Sequence, residues 1–593
     1  MDRNGSYGFG DAPEPLRRPG APQGTPMWRP PAPERVSLRA RRMVVEAEAA
    51  GERGDHQIQM DALTRAHAAA EEDGDLRAAA EALRVLGALA AARGDLSDGE
   101  DKLSRAYALA AQVGDVASMA KAMGVGADVA RARGDLLGAI GAYSRAVDLA
   151  EQAGDPAAWT GVVIALSDLA ERCETPEIAR GVGELAQKTA AKLRGNPRFQ
   201  AVALRAEGAA AAVLGDPQHA WDCYMAAFQH SGETKDVAGQ AMAAYRLGDL
   251  AYGADNMPAA EWHLGQAATL AAQVGDPTTG TAAALALGDL ARKRLDLPAA
   301  EQRYRHALSL AEYGQSPRDA AKAVRGLADL ASMNADIPAA EAHWQHVWEL
   351  AERAEDPLLG AEALRGLGNA AQHRGDIAGA WGYFVRSAEL GELVGSLPAQ
   401  FEAQLALGEL ARTNGQYGHA HERYTLALNL ADRQDAGLPQ SQALTGLAQV
   451  AADTGDVLGA ESHYTQAFRL AEEGGHRGPL TVALLGLGWV SLQRENLPAA
   501  EAYYMRAVAL AEVGSSPDQR GTALLGLGWV ELGRENLDAA GKHFEQGAQL
   551  GQEAGNVSLQ IDGARGSARV ARARGDEATA AECESRADRL AGG

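Results

Sequence analysis

Two segments of near-identical sequence, LLGLGWVSLQREN (484–496) and LLGLGWVELGREN (524–536), each set a tryptophan between a leucine four residues before it and another three residues after. Steps of three and four residues share one face of a helix. Leu485, Trp489, Leu492, Leu525, Trp529 and Leu532 are therefore expected to form one apolar patch across two adjacent helices. An exposed patch of this kind marks a contact surface, and tryptophan is enriched among the residues that dominate binding energy. Forty residues further on, the same positions hold Arg565, Arg569 and Arg572, whose guanidinium groups would complement a hydrophobic, acidic peptide. Upstream, the tryptophan position reads Asp249, Asp289, Asp329, Asn369, Glu409 and Gln449. Such a ladder of acceptors could hold an extended backbone or pair with its Lys and Arg side chains.

Motifs of catalysis are missing from the sequence. It contains no phosphate loop, no His-Glu-x-x-His, no nucleophile elbow and no Cys-x-x-Cys, so neither catalysis nor a cofactor is expected. Cys173, Cys223 and Cys583 lie far apart and match no disulfide or metal spacing, which points to a reducing compartment. His263, His343, His463 and His543 stand a whole repeat apart and read as surface residues rather than metal ligands. Arg-Gly-Asp recurs at 53–55, 93–95, 133–135, 374–376 and 574–576, always at the same point of the repeat, and so reads as a turn rather than an adhesion signal.

These residues are positioned by a 40-residue beat. Leucine stands at 247, 287, 327, 367, 407, 447, 487 and 527, each followed by Gly or Ala. Alanine recurs from Ala260 to Ala540, and a bulky side chain recurs at Leu264, Tyr304, Trp344, Phe384, Tyr424, Tyr464, Tyr504 and Phe544. A fourth mark is leucine at 270, 310, 350 and onward to 550. Marks at one fixed period signify a repeat architecture. Within each unit the apolar spacing is helical on both sides of a Gly-Asp turn. Asp376 and its equivalents are placed to cap the second helix, and Pro258, Pro298, Pro338 and Pro498 fall in its first turn. A glycine recurring mid-helix beside leucine costs about 1 kcal/mol relative to alanine, which predicts that another backbone passes close by, with the large ring at Tyr304 or Tyr424 filling the space between neighbours. The turn can be followed upstream to Gly54-Asp55, faintly at Glu174-Thr175, giving about fourteen units with the fourth the least regular.

With its Leu367-Gly368, Ala380, Phe384 and Ala388, and equally Leu487-Gly488, Ala500, Tyr504 and Ala507, the chain resembles the tetratricopeptide repeat family over roughly residues 36–590. Its unit departs from the family's usual 34 residues and is similar to the long-helix subclass found in polarity adaptors and in the sensor arms of some bacterial regulators. The resemblance implies an all-α fold, a right-handed α-solenoid of about fourteen antiparallel helix-turn-helix repeats. It also implies that the ninth position of each first helix, counted with Gly248 as the eighth, faces a binding groove.

The expected organisation is a Pro/Gly/Arg-rich disordered arm at 1–35, N-terminal repeats at 36–235 with an irregular unit near 160–195, and a regular array at 236–593. Residues 1–42 carry eight arginines against four acidic residues, in a chain whose net charge is −23. Such an acidic array argues against nucleic acid. No apolar run approaches the length of a membrane span and the N-terminus lacks a signal-peptide core, so cytoplasmic residence and no membrane insertion are expected. The function implied by the resemblance is a non-catalytic scaffold or adaptor that binds segments of other proteins. The alternatives are a ligand- or peptide-responsive signalling regulator, which its basic arm could autoinhibit, and a protein that self-associates into a structural assembly.

Overall fold

The computed structural model describes residues 36–591 apart from 155, 174, 194, 435, 514 and 515, so the N-terminal arm and Glu174 of the fourth turn lie outside it. Twenty-eight helices and no strand occur among the described residues, from Leu38–Glu52 to Glu577–Ala591. The chain divides into two compact units, one ending at Cys223 and the other beginning at Tyr224. Inside each, successive helices of about seventeen residues are joined by three, so they fold back antiparallel and pack on their neighbours in sequence.

The turn motif has three separable jobs. In Arg374-Gly375-Asp376, Gly375 adopts φ +82°, a left-handed conformation that glycine enters without steric cost. Asp376 accepts from the Gly379 N–H at 2.9 Å and caps helix Ile377–Leu393. Arg374 reaches back to Glu341 of the preceding repeat. Arg133 does the same to Glu100 at 2.8 Å, and so do Arg294 to Glu261 at 2.8 Å and Arg534 to Glu501 at 2.5 Å. The adhesion-like triplet is thus a bridge, a hinge and a cap.

All eight marker leucines from Leu247 to Leu527, all eight alanines and all eight bulky residues are buried. Of the leucines at 270 to 550 only Leu350 is fully buried; the others sit half-buried at the core's edge. The mid-helix glycines make room for the rings, as expected at Tyr304 and Tyr424. A Cβ on Gly288 would lie 2.6 Å from the Tyr304 ring, and one on Gly326 of the next repeat would also lie 2.6 Å from it. Tyr424 and Tyr504 are held in the same way, between Gly408 and Gly446 and between Gly488 and Gly526. In these repeats it is a ring that needs the space. At Gly248, where the bulky residue is Leu264, the expected close backbone is also present, 3.1 Å from the added carbon.

The fourth repeat packs differently from the others. Helix Pro156–Glu171 leans more on Pro197–Val213 than on its own partner Pro176–Lys192, which instead reaches back to Leu136–Ala153. Lys188 fastens that contact through the Ser144 carbonyl at 2.9 Å and Asp148 at 2.8 Å. Among the described residues no helix is long and apolar enough to cross a membrane. One histidine reading needs correcting: His263 is 6 % exposed, because it sits beside Leu264 on the face that packs inward. Burial lowers its pKa. His343, His463 and His543 are half-buried.

Candidate functional site

Helices Arg477–Gln493, Pro517–Gly533 and Val557–Ala573 are the first helices of three consecutive repeats, so residues 40 apart on them stand side by side. Their fifth and ninth positions converge. Leu485, Trp489, Leu525, Trp529, Arg565 and Arg569, with Arg572, line a single depression of about 1490 Å³. The two tryptophans are half-buried. Trp529 stands edge-on to Phe544 with ring centroids 5.1 Å apart, and Trp489 packs against the cluster around Tyr464 and Val490. Part of each indole is thus core and part faces the depression.

The patch is narrower than its spacing implies. Leu525 is 5 % exposed, held by Phe544 and Leu559. Leu492 packs on the cluster of Tyr504 and Leu527, and Leu532 on that of Phe544 and Val570; neither lines the depression. At the twelfth position the two leucines are thus drawn into the packing, while Arg572 lines the depression.

The far end is not simply basic. Four arginines, Arg412, Arg565, Arg569 and Arg572, share the lining with four carboxylates, Asp453, Asp562, Glu584 and Asp588. The last helix, Glu577–Ala591, supplies two of these, and Glu584 accepts from Arg572 at 2.5 Å. Burial pushes the Asp562 carboxyl up, against the pull of Arg565. Arg565 and Arg569 are exposed and have no ion-pair partner within 4 Å among the described residues.

The acceptor ladder is partly spent inside the protein. Tyr304 donates its hydroxyl to Asp289 at 2.6 Å while Arg292 reaches both, at 3.3 Å each. Tyr424 donates to Glu409 at 2.8 Å, and Arg412 holds the same carboxylate at 2.7 and 3.1 Å while reaching Asp453 of the next repeat at 2.9 Å. In the N-terminal unit Asp128, Arg131 and Tyr143 repeat the arrangement. The code is an acid, an arginine three residues on and a tyrosine fifteen residues on. It is legible in sequence across the turn, from the ninth position of one helix to the bulky mark of the next, but not along a single helix face. Burial opposes ionisation of Glu409, yet the Arg412 hydrogen bonds outweigh it and bring the carboxyl below its ordinary range. Asp329 lacks a tyrosine at the equivalent place, where Trp344 stands, and burial raises its pKa. Asp249 and Asn369 are exposed, and Gln449 is half-buried, lining both this depression and a smaller one of about 370 Å³ beside Glu409 and Tyr424.

Residues 440–512 match the tetratricopeptide repeat family. No curated protein matches the sequence. Among solved structures, the chain is similar to the apo form of the quorum sensor NprR from B. thuringiensis at 14 % identity, covering 58 % of this chain and 98 % of that one with a TM-score of 0.43. Yeast Tom70 is matched at 14 % identity over 84 % and 96 % with a TM-score of 0.41. The Cut9–Hcn1 hetero-tetramer of APC/C is matched at 14 % identity over 93 % and 96 % with a TM-score of 0.42.

Proposed function

We propose that this chain, built of tetratricopeptide repeats, is a non-catalytic scaffold that holds segments of other proteins, with its principal docking site in the C-terminal depression. An apolar side chain of the partner lies between Trp489 and Trp529, and a carboxylate nearby meets Arg565 and Arg569. The observation that carries this reading is the meeting of two half-buried indoles, forty residues apart in sequence, with two unpaired guanidinium groups in one depression of about 1490 Å³. Solenoid repeats stack into extended surfaces of this kind. Aromatic side chains beside arginine supply both desolvated area and a directional charge. Because carboxylates also line the site, the partner is selected by its apolar anchor first and by its charge second.

Selection from a displayed library of random peptides tests the proposal. The full chain should enrich sequences with a bulky apolar residue next to Asp or Glu. Trp489→Ala with Trp529→Ala should weaken those peptides at least 30-fold, the scale of a hot-spot pair, and Arg565→Glu with Arg569→Glu should reverse the charge preference. Selected peptides that bind both double variants as tightly as the parent would sink the assignment.

A further inference from the structure

The strongest unexplained cluster lies at the end of the N-terminal unit. Glu207 occupies the slot that holds Leu247, Leu287, Leu327 and the five marker leucines after them, all of which are buried. Glu207 itself is 8 % exposed. A carboxylate in an apolar core is costly unless something holds it. Three side chains from two other helices do so or stand ready to. Gln187, on Pro176–Lys192, donates its Nε2 to Glu207 Oε1 at 2.9 Å. On Pro217–Glu233, His219 places Nε2 2.9 Å from the same oxygen, and Cys223, one helical turn further, places Sγ 3.7 Å from that nitrogen. The donor atoms of Glu207, His219 and Cys223 all lie within 4.8 Å of one another.

We propose that Glu207, His219 and Cys223 bind a divalent metal ion of the zinc type, with one coordination position open to solvent. Bonds of about 2.0–2.3 Å to N, O and S in a tetrahedron put the donors roughly 3.3–3.8 Å apart, so the Sγ to Nε2 separation already fits. The carboxylate and imidazole then part by a few tenths of an ångström, and the carboxylate and thiol already lie within 4.8 Å of each other. Thiolate, imidazole and carboxylate together favour zinc or its neighbours over magnesium and calcium, which seek oxygen alone. The ion has a way in, because the His219 side chain is 43 % exposed while Cys223 is 4 % exposed. Gln187 acts as a positioning residue, turning the carboxylate toward the histidine as partners of metal ligands commonly do. On binding, the metal displaces the thiol proton to solvent. Cys223 is far in sequence from Cys173 and Cys583, so the sequence spacing that marks a cysteine-rich site does not reveal this mixed one.

Cobalt(II) is the probe. The full chain, stripped with a chelator and dialysed, is titrated with cobalt chloride while the near-ultraviolet thiolate-to-cobalt band is followed, and zinc chloride is then added in competition. One equivalent should give the band, and zinc should abolish it. Cys223→Ser should lose the band, Glu207→Gln should weaken binding at least tenfold, and Cys173→Ser and Cys583→Ser should behave as the parent. Circular dichroism confirms that each variant retains its helices. No band with folded parent protein, or a band that survives in Cys223→Ser, means that these residues form an ion pair beside an inert thiol and overturns the proposal.

Discussion

Gly326→Ala adds one methyl group where the structure leaves no room for it. The new carbon would sit 2.6–2.7 Å from three atoms of the Tyr304 ring. That ring has little room to withdraw, because the Gly288 backbone of its own repeat also lies against it, so that a Cβ there would meet the same ring atoms at 2.6–3.0 Å. Its hydroxyl is also tied to Asp289 at 2.6 Å and Arg292 at 3.3 Å. Overpacking of this kind costs about 1–3 kcal/mol. Against it, replacing glycine by alanine inside a helix gains about 1 kcal/mol wherever the methyl is free. Gly265 supplies that reference, since a Cβ there meets nothing within 4 Å and the residue is half-exposed in helix Met257–Val274. Helix propensity cancels between the two variants, so Gly326→Ala should be less stable than Gly265→Ala by about 2 kcal/mol, roughly a 30-fold change in an opening equilibrium. Repeat arrays open locally, so the assay is amide hydrogen exchange. Protection should fall across residues 277–353 in Gly326→Ala and rise or hold in Gly265→Ala. The wedged-ring account is falsified if the two variants protect that region equally.

Two further outcomes follow from the same geometry. Leu295 fills a turn slot that other repeats give to glycine, with φ +60° and its side chain 72 % exposed; Leu295→Gly should therefore raise stability by about 0.5–1 kcal/mol, and a drop in the denaturation midpoint would show that the strain is not there. The folded Glu409 carboxyl titrates below its ordinary value of 4.5, so the unfolded chain takes up its proton first as pH falls. The pairing then contributes fully above about pH 4.5 and is lost as pH drops through the lowered folded value. Urea midpoints from pH 7 to pH 3 should show the gap between parent and Glu409→Gln shrinking at the acid end, and a gap that widens there would refute the sign.

Much of this protein was readable before any coordinates because a solenoid keeps its decisions local. Turn and cap span a few residues and the bridge from the turn arginine spans 33, as from Glu341 to Arg374, so their spacing repeats visibly along the chain. The convergence of Trp489, Trp529, Arg565 and Arg569 was likewise implied by equal register on neighbouring helices. What register could not express was competition for the same side chain. Arg572 meets Glu584 of the last helix, and Glu409 is taken by Arg412 and Tyr424. The amphipathic period marks which face a residue occupies but not which neighbour reaches it first.

The sequence by itself determined the helices, their pairing and the repeat, because caps, glycines and apolar periods act within a turn or two of where they stand. Only the tertiary structure decided that Leu525 is core while Trp529 keeps a free edge, and that Glu207 meets His219 and Cys223. Those outcomes depend on distances of a few ångströms between elements, and such distances are set when the packed faces close.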